Sequence, residues 1–390
     1  MPIELSYALI TPYTIQKSRT GGIIARLLSR TDLELTGAKI FAPSQEFTDA
    51  YADMIRKTED NTCSQATLNL LSEYVRENFA PLDGRYQRVM MLLFRGENAT
   101  KKLTDVVGHI KPEIRTGETI RDTYSDYVPN RDGTVRYFEP AVITAPNIPG
   151  SESFRKEMLF LANYLDSTPN IIDQPLLSAE EDSGKRTLVI IKPDNWRYPS
   201  SRPGNIIDML SRTGLRIVGC KLYRMSLEEA LEFYGPVKNA LREKLAPKIG
   251  LRAKEILERE FKIKLPDTDT EGLSNSVGIR FSDDQFAQIV EFMSGLRPGQ
   301  VPEWQTSDPG KVKCMMLIYQ GENAVNKIRD VLGPTDPTKA PGGTIRREFG
   351  TDVMVNTAHA SDSFENAKRE MAIIKADRNI IGGIIKDFYK

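Results

Sequence analysis

Four stretches in the N-terminal half of this 390-residue chain recur, in the same order, in its C-terminal half. Residues 22–39 (GIIARLLSRTDLELTGAK) match residues 204–221 (GNIIDMLSRTGLRIVGCK) without a gap, and a Gly-Glu-Asn-Ala motif follows an apolar run in both halves. Residues 142–158 also align with residues 355–371 without a gap. An ordered series of this kind indicates a duplicated domain, so the fold must be one that about half of the chain can form.

Both halves alternate short apolar runs with amphipathic stretches. Short apolar runs between polar residues predict buried strands, here at 7–10, 35–41, 88–94 and near 142, and again at 188–191, 215–225, 313–319 and near 355. Ser44 and Ser226 are good N-caps for the helix that follows the second strand of each half. The order β-α-β-α-β-α-β-α predicts an α+β fold of two ferredoxin-like (βαββαβ) domains in tandem.

The two halves are separated by a stretch with prolines and an acidic SAEEDSG segment. Such composition is typical of a linker, which we place at residues 167–185, between domains at 1–166 and 186–390. The second domain is longer by about forty residues between its second helix and third strand. This insertion, at about 236–311, has helical patterns at 237–261 and 283–294.

Composition excludes several classes of protein. Lysine plus arginine equals aspartate plus glutamate, so net charge favours no polyanionic partner and no specific nucleic acid. The three cysteines are far apart, without a C-x-x-C pair, which argues against a zinc site or a disulfide framework. No signal-peptide pattern or membrane-length apolar run is visible, so we expect a cytoplasmic protein with no membrane association. Neither glycine-rich nucleotide fingerprint, P-loop or Rossmann, is present.

The chain contains only two histidines, His109 and His359. His359 follows an apolar run at 353–355, which predicts a strand, and precedes a sequence typical of a helix start. Imidazole is a good nucleophile near neutral pH because a substantial fraction is uncharged. A surface or capping histidine is the alternative interpretation of His359, and we interpret His109 as a surface residue.

The helix after His359 can be capped in more than one way. Asp362 with Glu365 resembles a capping box, although Ser361 or Ser363 could serve instead. In each case the helix N-terminus would offer backbone N–H groups and a positive dipole end to a phosphate.

Several cationic and polar residues lie at predicted element ends and could bind a triphosphate. They are Lys192, Arg329, Arg346 and Asn356. Each of them taken singly has a simpler interpretation as a solvated surface residue.

Together these segments resemble the nucleoside diphosphate kinase family. The family's lysine-proline-aspartate motif corresponds to residues 192–194, and its histidine signature corresponds to residues 356–363 (NTAHASDS). Its Gly-Thr-Ile-Arg motif is found at 343–346, and its Gly-x-Thr-x-Pro turn at 333–337. The resemblance covers both ends of the C-terminal half, in order and at similar spacing.

The resemblance implies a reaction and a role for each matching residue. The reaction is transfer of the terminal phosphate of an NTP to an NDP, by a ping-pong route through phosphorylated His359. Glu370 would orient the imidazole and Ser361 would support the site. Magnesium would be bound with the nucleotide, so no metal ligands are expected from the protein. The residues implied to bind the nucleotide are Lys192, Tyr234, Arg329, Thr335, Arg346 and Asn356.

Three positions depart from the family pattern. Ala360 stands where the family has a glycine, and Phe233 where it commonly has a histidine. After Tyr234 the insertion replaces the segment in which the family places its base-stacking phenylalanine. We therefore assign no base-stacking residue and no base selectivity.

The same resemblance implies that the N-terminal copy has lost the chemistry. The gapless alignment places Pro146 at the position of His359, Ile143 at that of Asn356 and Ile148 at that of Ser361. Thr11 replaces Lys192, and the matching residues that remain are Tyr51, Arg121 and Glu157. We expect this copy to be structural and to pack on the second as a subunit does in an oligomer. A regulatory nucleotide site is the alternative.

Two other functions stay open at the level of the sequence. The chain could be a non-catalytic nucleotide-sensing or scaffold protein of the same fold, or a phosphohistidine transferase acting on another substrate. A homo-oligomer and a pseudo-dimer formed through the N-terminal domain are both compatible with the repeat.

Overall fold

The structure is a computed structural model that describes residues 2–60, 63–111, 116–172 and 185–390. It consists of two compact units, one formed by residues 1–222 with 315–390 and the other by residues 223–314. The first unit is α+β, with antiparallel sheets. Residues 173–184 of the predicted linker lie outside the described part of the chain, and the domain limits stay predictions.

The first unit contains two four-stranded sheets with the same arrangement. The N-terminal strands are β1 (Ile3–Ile10), β2 (Glu34–Phe41), β3 (Val89–Glu97), β4 (Asp126–Pro129), β5 (Val135–Glu139) and β6 (Val142–Thr144). Strands β4 and β5 form a separate hairpin, and the other four have the order β2-β3-β1-β6. The C-terminal strands are β7 (Arg186–Ile191), β8 (Arg216–Tyr223), β9 (Cys314–Gln320) and β10 (Ala358–Ala360). Their order, β10-β7-β9-β8, places each strand beside the counterparts of its N-terminal neighbours.

The helices follow the predicted alternation with additional short turns. In chain order they are α1 (Pro12–Gln16), α2 (Thr20–Ser29), α3 (Gln45–Lys57), α4 (Gln65–Asn78), α5 (Ala99–Val107), α6 (Ile120–Tyr124), α7 (Glu152–Ser167), α8 (Arg202–Ser211), α9 (Leu227–Phe261), α10 (Asp267–Leu273), α11 (Ile279–Ser294), α12 (Ala324–Leu332), α13 (Ile345–Phe349), α14 (Phe364–Ile373) and α15 (Ile381–Phe388). The described residues also form three short 3-10 turns, Pro193–Trp196, Glu303–Gln305 and Pro337–Lys339, and one π-helical turn, Ser274–Gly278.

The two predicted serine caps are confirmed. The Ser44 hydroxyl accepts a hydrogen bond from the Phe47 backbone N–H at the start of α3. Ser226 forms a reciprocal capping box with Glu229 at the start of α9. The second helix of the C-terminal half and the helical pattern at 237–261 form one continuous helix, although it contains two prolines.

The N-terminal and C-terminal sheets share one hydrophobic core. Helices α2 and α8 cross at Gly21 and Gly204, where a Cβ atom on either residue would overlap the backbone of the other helix. The missing side chains let the two backbones touch, and Ile23 and Ile206 beside the crossing are fully buried. Association of the two halves therefore buries apolar surface that neither half could bury alone.

The C-terminal helix α15 connects the halves a second time. Ile381 and Ile385 are buried in the apolar cluster of the N-terminal half. The Lys386 ammonium pairs with Asp166, close to the end of α7, at 2.7 Å. The last residues of the C-terminal half thus form part of the core of the N-terminal half.

The second unit, residues 223–314, is helical. Its helices α9 and α11 pack on each other, and the Arg242 guanidinium makes two hydrogen bonds to Asp283, at 2.6 and 2.7 Å. Gly278 lies against the α9 backbone at Ala246. Among the residues that the structure describes, no helix has the length and apolar character needed to cross a bilayer.

Candidate active site

His359 lies within a strand and not after one. It is the central residue of β10, where it pairs with Ile190 of β7. The prediction of a strand at residues 353–355 is wrong, because the Asp352 carboxylate accepts hydrogen bonds from two backbone N–H groups of this run, both at 2.8 Å. These bonds fold the apolar residues into a turn.

A buried carboxylate holds the His359 ring. The Nε2 atom of His359 lies 2.9 Å from Oε2 of Glu370, and the Ser361 hydroxyl donates to the same oxygen at 2.6 Å. The Glu370 side chain is 6% exposed, whereas that of His359 is 21% exposed and reaches solvent. With its Nε2–H donated to the carboxylate, the neutral ring presents the lone pair of Nδ1. The structure thus brings the three predicted catalytic residues together.

The serine that caps the following helix is Ser363. Its hydroxyl accepts a hydrogen bond from the Asn366 backbone N–H at 3.0 Å, and Asp362 bonds the Asn366 side chain instead. The predicted capping box of Asp362 with Glu365 is therefore wrong, and the alternative cap is confirmed. Ser361 remains available for Glu370.

Lys192 joins a polar network beside this strand. Its Nζ donates to Oδ1 of Asn356 at 2.6 Å, and Nδ2 of Asn356 donates to the carbonyl oxygen of Thr335 at 3.2 Å. The backbone N–H of Lys192 bonds the carbonyl of Thr357, two residues before His359. Three of the predicted nucleotide-binding residues, Lys192, Thr335 and Asn356, are thus in direct contact.

The Lys192 ammonium is destabilised in the free protein. Burial, followed by repulsion from Arg346, lowers the pKa of Lys192 from 10.5 to about 8, although Asp194 and Asp352 oppose the shift. Two cations held close together in a buried place form a favourable environment for an anion.

We expect the pH dependence of phosphoryl transfer to reflect this shift. Lys192 is charged below pH 8 and becomes neutral above it, so kcat/KM for Mg·NTP should fall about tenfold per pH unit above that value. A bound phosphate stabilises the ammonium, so kcat should hold to higher pH. The Lys192→Arg variant should lack this alkaline fall at any absolute rate, because its guanidinium stays charged. Wild-type kcat/KM that stays constant to pH 10 would contradict the assignment.

Arg346 supports the backbone around His359. Its guanidinium donates to the carbonyl oxygens of Gly333 and Ala358, at 2.9 and 3.0 Å. It thereby ties the residue before His359 to the turn that carries Thr335. Its influence on the pKa of Lys192 places its charge close to the same network.

The other two predicted nucleotide-binding residues are Arg329 and Tyr234. Arg329 is exposed in the last turn of α12. Tyr234 belongs to the second unit, where it is buried in α9 with its ring centroid 5.0 Å from that of Phe233. Their roles with phosphate stay predictions.

Two residues that the sequence analysis did not identify, Thr357 and Asn195, shape the turn that leads into β10. Thr357 has a φ of +77°, which is rare for a β-branched residue, so the turn before His359 is conformationally strained. The Asn195 side chain donates to the carbonyls of Thr357, at 2.8 Å, and Lys192, at 3.1 Å, and so holds this turn. Asn195 directly follows the Lys-Pro-Asp motif, and this position in the sequence could have marked it as part of the site.

The gapless alignment of the two copies around His359 is wrong by three residues. In the sheets, Ile10 pairs with Val142, whereas its counterpart Ile191 pairs with Ala358, so Ile143 occupies the position of His359. Arg121 bonds the carbonyls of Gly108 and Val142, as Arg346 bonds those of Gly333 and Ala358. By this register Asn356 corresponds to Pro140 and Ser361 to Ala145.

The error has a physical source. The similarity of the helices that follow the last strands, around Glu157 and Glu370, extends the alignment through a loop that is three residues longer in the N-terminal half. The conclusion of the alignment still holds, because isoleucine, like proline, has no nucleophilic side chain.

In the N-terminal copy, buried carboxylates lie around the positions that correspond to Lys192 and His359. Both Thr11 and Tyr74 donate to the Glu139 carboxylate, at 2.8 and 2.6 Å. Glu157, the counterpart of Glu370, accepts a hydrogen bond from the Tyr7 hydroxyl, which also contacts Tyr51. Burial raises the pKa of Glu157 to about 7. The Glu139 carboxylate, which bonds the threonine at the position of Lys192, would repel phosphate when it is ionised.

A cavity of about 850 Å³ nevertheless remains at this place in the N-terminal copy. It is lined by Glu157 and Arg121 together with apolar side chains such as Ile143 and Leu68. His109, exposed as predicted, lies on its rim.

Comparison with known proteins decides the family. The family model described as nucleoside diphosphate kinase matches residues 305–380. A nucleoside diphosphate kinase of Nitratiruptor sp. is 31% identical over 197 residues, which are 50% of this chain and 99% of that protein. The chain belongs to the nucleoside diphosphate kinase family. A second family member, from Methylobacterium radiotolerans, is 33% identical over 50% of this chain and 96% of its own length.

A nucleoside diphosphate kinase relative accounts for only half of the chain. Among solved structures, an NDP kinase from Pyrobaculum aerophilum is 26% identical and covers 49% of this chain and 94% of its own, with a TM-score of 0.33. The Nitratiruptor sp. protein, matched over 99% of its own length, likewise spans 50% of this chain.

Proposed function

We propose that the chain is a nucleoside diphosphate kinase that works through phosphorylated His359. The observation that carries the proposal is the exposed edge of the His359 ring, held by the buried Glu370 beside the cationic pair of Lys192 and Arg346. Glu370 orients the imidazole, and Arg346 and Lys192 bond the backbone carbonyls of the two residues that precede it, Ala358 and Thr357. A scaffold protein would have no need for an oriented and accessible imidazole.

The first half-reaction forms the phosphoenzyme. The Nδ1 lone pair of His359 attacks the γ-phosphorus of the NTP, the bond from phosphorus to the β,γ-bridging oxygen breaks, and the NDP leaves with that electron pair. Positive charge then develops on the ring, and the Glu370 carboxylate stabilises it across the Nε2–H bond. Lys192 neutralises charge on the phosphate oxygens, which is the main requirement of phosphoryl transfer.

The second half-reaction reverses the first with another nucleotide. A terminal oxygen of the incoming NDP attacks the phosphorus, the N–P bond breaks, and the ring returns to its neutral form. One site serves donor and acceptor in turn. We assign phosphate contacts to Thr335, Arg329 and Tyr234 as well, and a ribose contact to Asn356.

Magnesium enters this scheme as part of the nucleotide substrate. The residues around His359 supply cations, amides and hydroxyls, which suit phosphate oxygens, and the described residues contain no cluster of three potential metal ligands. The ion would remain coordinated by phosphate oxygens and water, as is usual for Mg²⁺.

We infer a structural role for the N-terminal copy. The chain would consist of two tandem ferredoxin-like domains, of which residues 1–166 stabilise residues 186–390. The shared core and the glycine crossing of α2 and α8 support a pseudo-dimer within one chain. A role in nucleotide metabolism of the cytoplasm follows from the proposed activity.

A labelling and chase experiment tests the proposed activity. Incubation with γ-labelled ATP should label the protein with an acid-labile, base-stable phosphate. Addition of unlabelled GDP should then discharge the label into GTP, while buffer or GMP leaves it on the protein. A label that no NDP can discharge would overturn the proposal.

A further inference from the structure

Three arginines face one groove in the first unit, away from the proposed active site. The groove has a volume of about 790 Å³, and Arg85, Arg88 and Arg216 line it together with Tyr13 and Tyr86. We call it the arginine groove. Arg85 and Arg88 belong to the N-terminal copy and Arg216 to the C-terminal copy, so the groove exists only because the two copies pack on each other.

Each arginine is positioned by regular structure. Arg85 closes a tight turn by two backbone hydrogen bonds with Leu82, both at 2.9 Å, and the central residues Asp83 and Gly84 have φ values of +51° and +72°. Positive φ at both central residues and an Asp-Gly sequence are typical of a type I′ turn, which is rigid. This turn therefore holds the backbone of Arg85 in place at the groove.

The other two arginines come from strand ends. The Arg88 guanidinium, just before β3, donates to the carbonyl oxygen of Ile217 at 2.8 Å and so reaches the other copy. Arg216 is the first residue of β8. Both guanidinium groups therefore line the groove where the two copies meet.

The three positive charges repel one another. Burial, followed by the charge of Arg216, lowers the pKa of Arg88 to about 10, and burial followed by the charge of Arg85 lowers the pKa of Arg216. Placing like charges together in a partly buried groove costs stability, and an anion bound between them would offset that cost.

This like-charge arrangement is not required by the duplicated fold. In the repeat, Arg88 corresponds to Lys313 and Arg216 to Glu34, so the equivalent pair of positions holds one cation and one anion where the groove has two cations. Carboxylates are also present at the groove, since Glu77 and Asp83 line it, and both are exposed. The three cations outnumber them.

We propose that the arginine groove binds a phosphate-bearing small molecule. Guanidinium groups match phosphate oxygens with two parallel hydrogen bonds, and several arginines from different elements can surround one phosphate group. The volume lies in the range of small-molecule sites, about 300–1,000 Å³, and exceeds that of a lone phosphate. The tyrosine rings of the lining could contact the organic part of the ligand. The inference goes beyond the kinase activity and does not depend on it.

Titration of the full chain with inorganic pyrophosphate tests the proposal. The informative variant is Arg85→Glu, because this exposed side chain can be replaced without loss of the Arg88 contact between the copies. The matched control is Arg131→Glu, an exposed arginine of another turn with the same change of net charge. We expect calorimetry to give a Kd about tenfold higher for Arg85→Glu than for Arg131→Glu, as loss of a charge-assisted hydrogen bond predicts.

The comparison separates the groove from the proposed active site. Pyrophosphate binding at His359 would be affected equally by the two charge reversals, so a difference between them reports on the groove. AMP is the second probe. Tighter binding of AMP than of pyrophosphate, lost in Arg85→Glu, identifies a nucleotide ligand, and binding of AMP no tighter than that of pyrophosphate identifies free phosphoanions. Equal affinities of the two variants for both probes would overturn the proposal. Phosphohistidine labelling of Arg85→Glu should stay normal in every case, so the proposed function is tested separately.

Discussion

Replacement of His359 by glutamine should abolish the acid-labile phosphoenzyme and lower NDP kinase turnover by about 10⁴-fold or more. In the proposed mechanism the ring is the nucleophile, and loss of a covalent nucleophile commonly has an effect of this size. Glutamine has polar atoms that Ser361 and Glu370 can contact, so the fold around β10 should survive. The measurements are labelling with γ-labelled ATP and the steady-state rate with ATP and a second NDP.

The chain supplies a matched control for this variant. His109 is the other histidine, and it is exposed on the rim of the N-terminal cavity. The His109→Gln variant should be labelled and turn over like the wild type. Stoichiometric labelling of His359→Gln would show that the phosphate is carried elsewhere, and loss of labelling in His109→Gln would assign the chemistry to the N-terminal half.

The second large effect is expected from Gly204→Val, which should destabilise the protein by about 3 kcal/mol. A Cβ atom at this position would meet backbone atoms of Gly21 and Ala25, and backbone cannot move aside as a flexible side chain can. The valine would separate α2 from α8 and open the core shared by the two halves. Thermal unfolding should show a midpoint lower by about 4–5 °C.

Gly383→Val is the control for that experiment. Gly383 lies within α15, and its Cβ position has no atom within 4 Å. The same substitution therefore carries the same intrinsic change in helix propensity without the steric overlap. Equal stability of the two variants would mean that the crossing of α2 and α8 contributes little to the association of the halves.

These predictions depend on features that the sequence shows to different degrees. The repeat, the alternation of strands and helices in each half and the serine caps of α3 and α9 follow from local patterns, because apolar periodicity and capping chemistry act over a few residues. The pairing of His359 with Glu370 came from a family signature whose spacing matches a strand followed by a helix. The family itself is supported by relatives that span half of the chain.

The errors arose where a side-chain contact with the backbone, the pairing of strands or an insertion decides the outcome. Three apolar residues before His359 have the composition of a strand, but the Asp352 side chain competes for their backbone N–H groups and forms a turn. The alignment of Pro146 with His359 failed because it compared residue types alone. The residue that occupies the position of His359 is set by the backbone pairing of β6 with β1. The strain at Thr357 could not be read from a threonine in the sequence.

By itself the sequence determined that a domain is duplicated, that one copy keeps a histidine with its supporting residues, and that the other copy does not. Residue types and their short-range spacing are enough to establish those properties. Only the tertiary structure decided that Glu370 holds Nε2 of His359, that Lys192 loses basicity beside Arg346, and that three arginines line one groove. The energy of a charge depends on its distance from other charges and on the dielectric around it. For side chains remote in sequence, both are set only when the chain folds and packs.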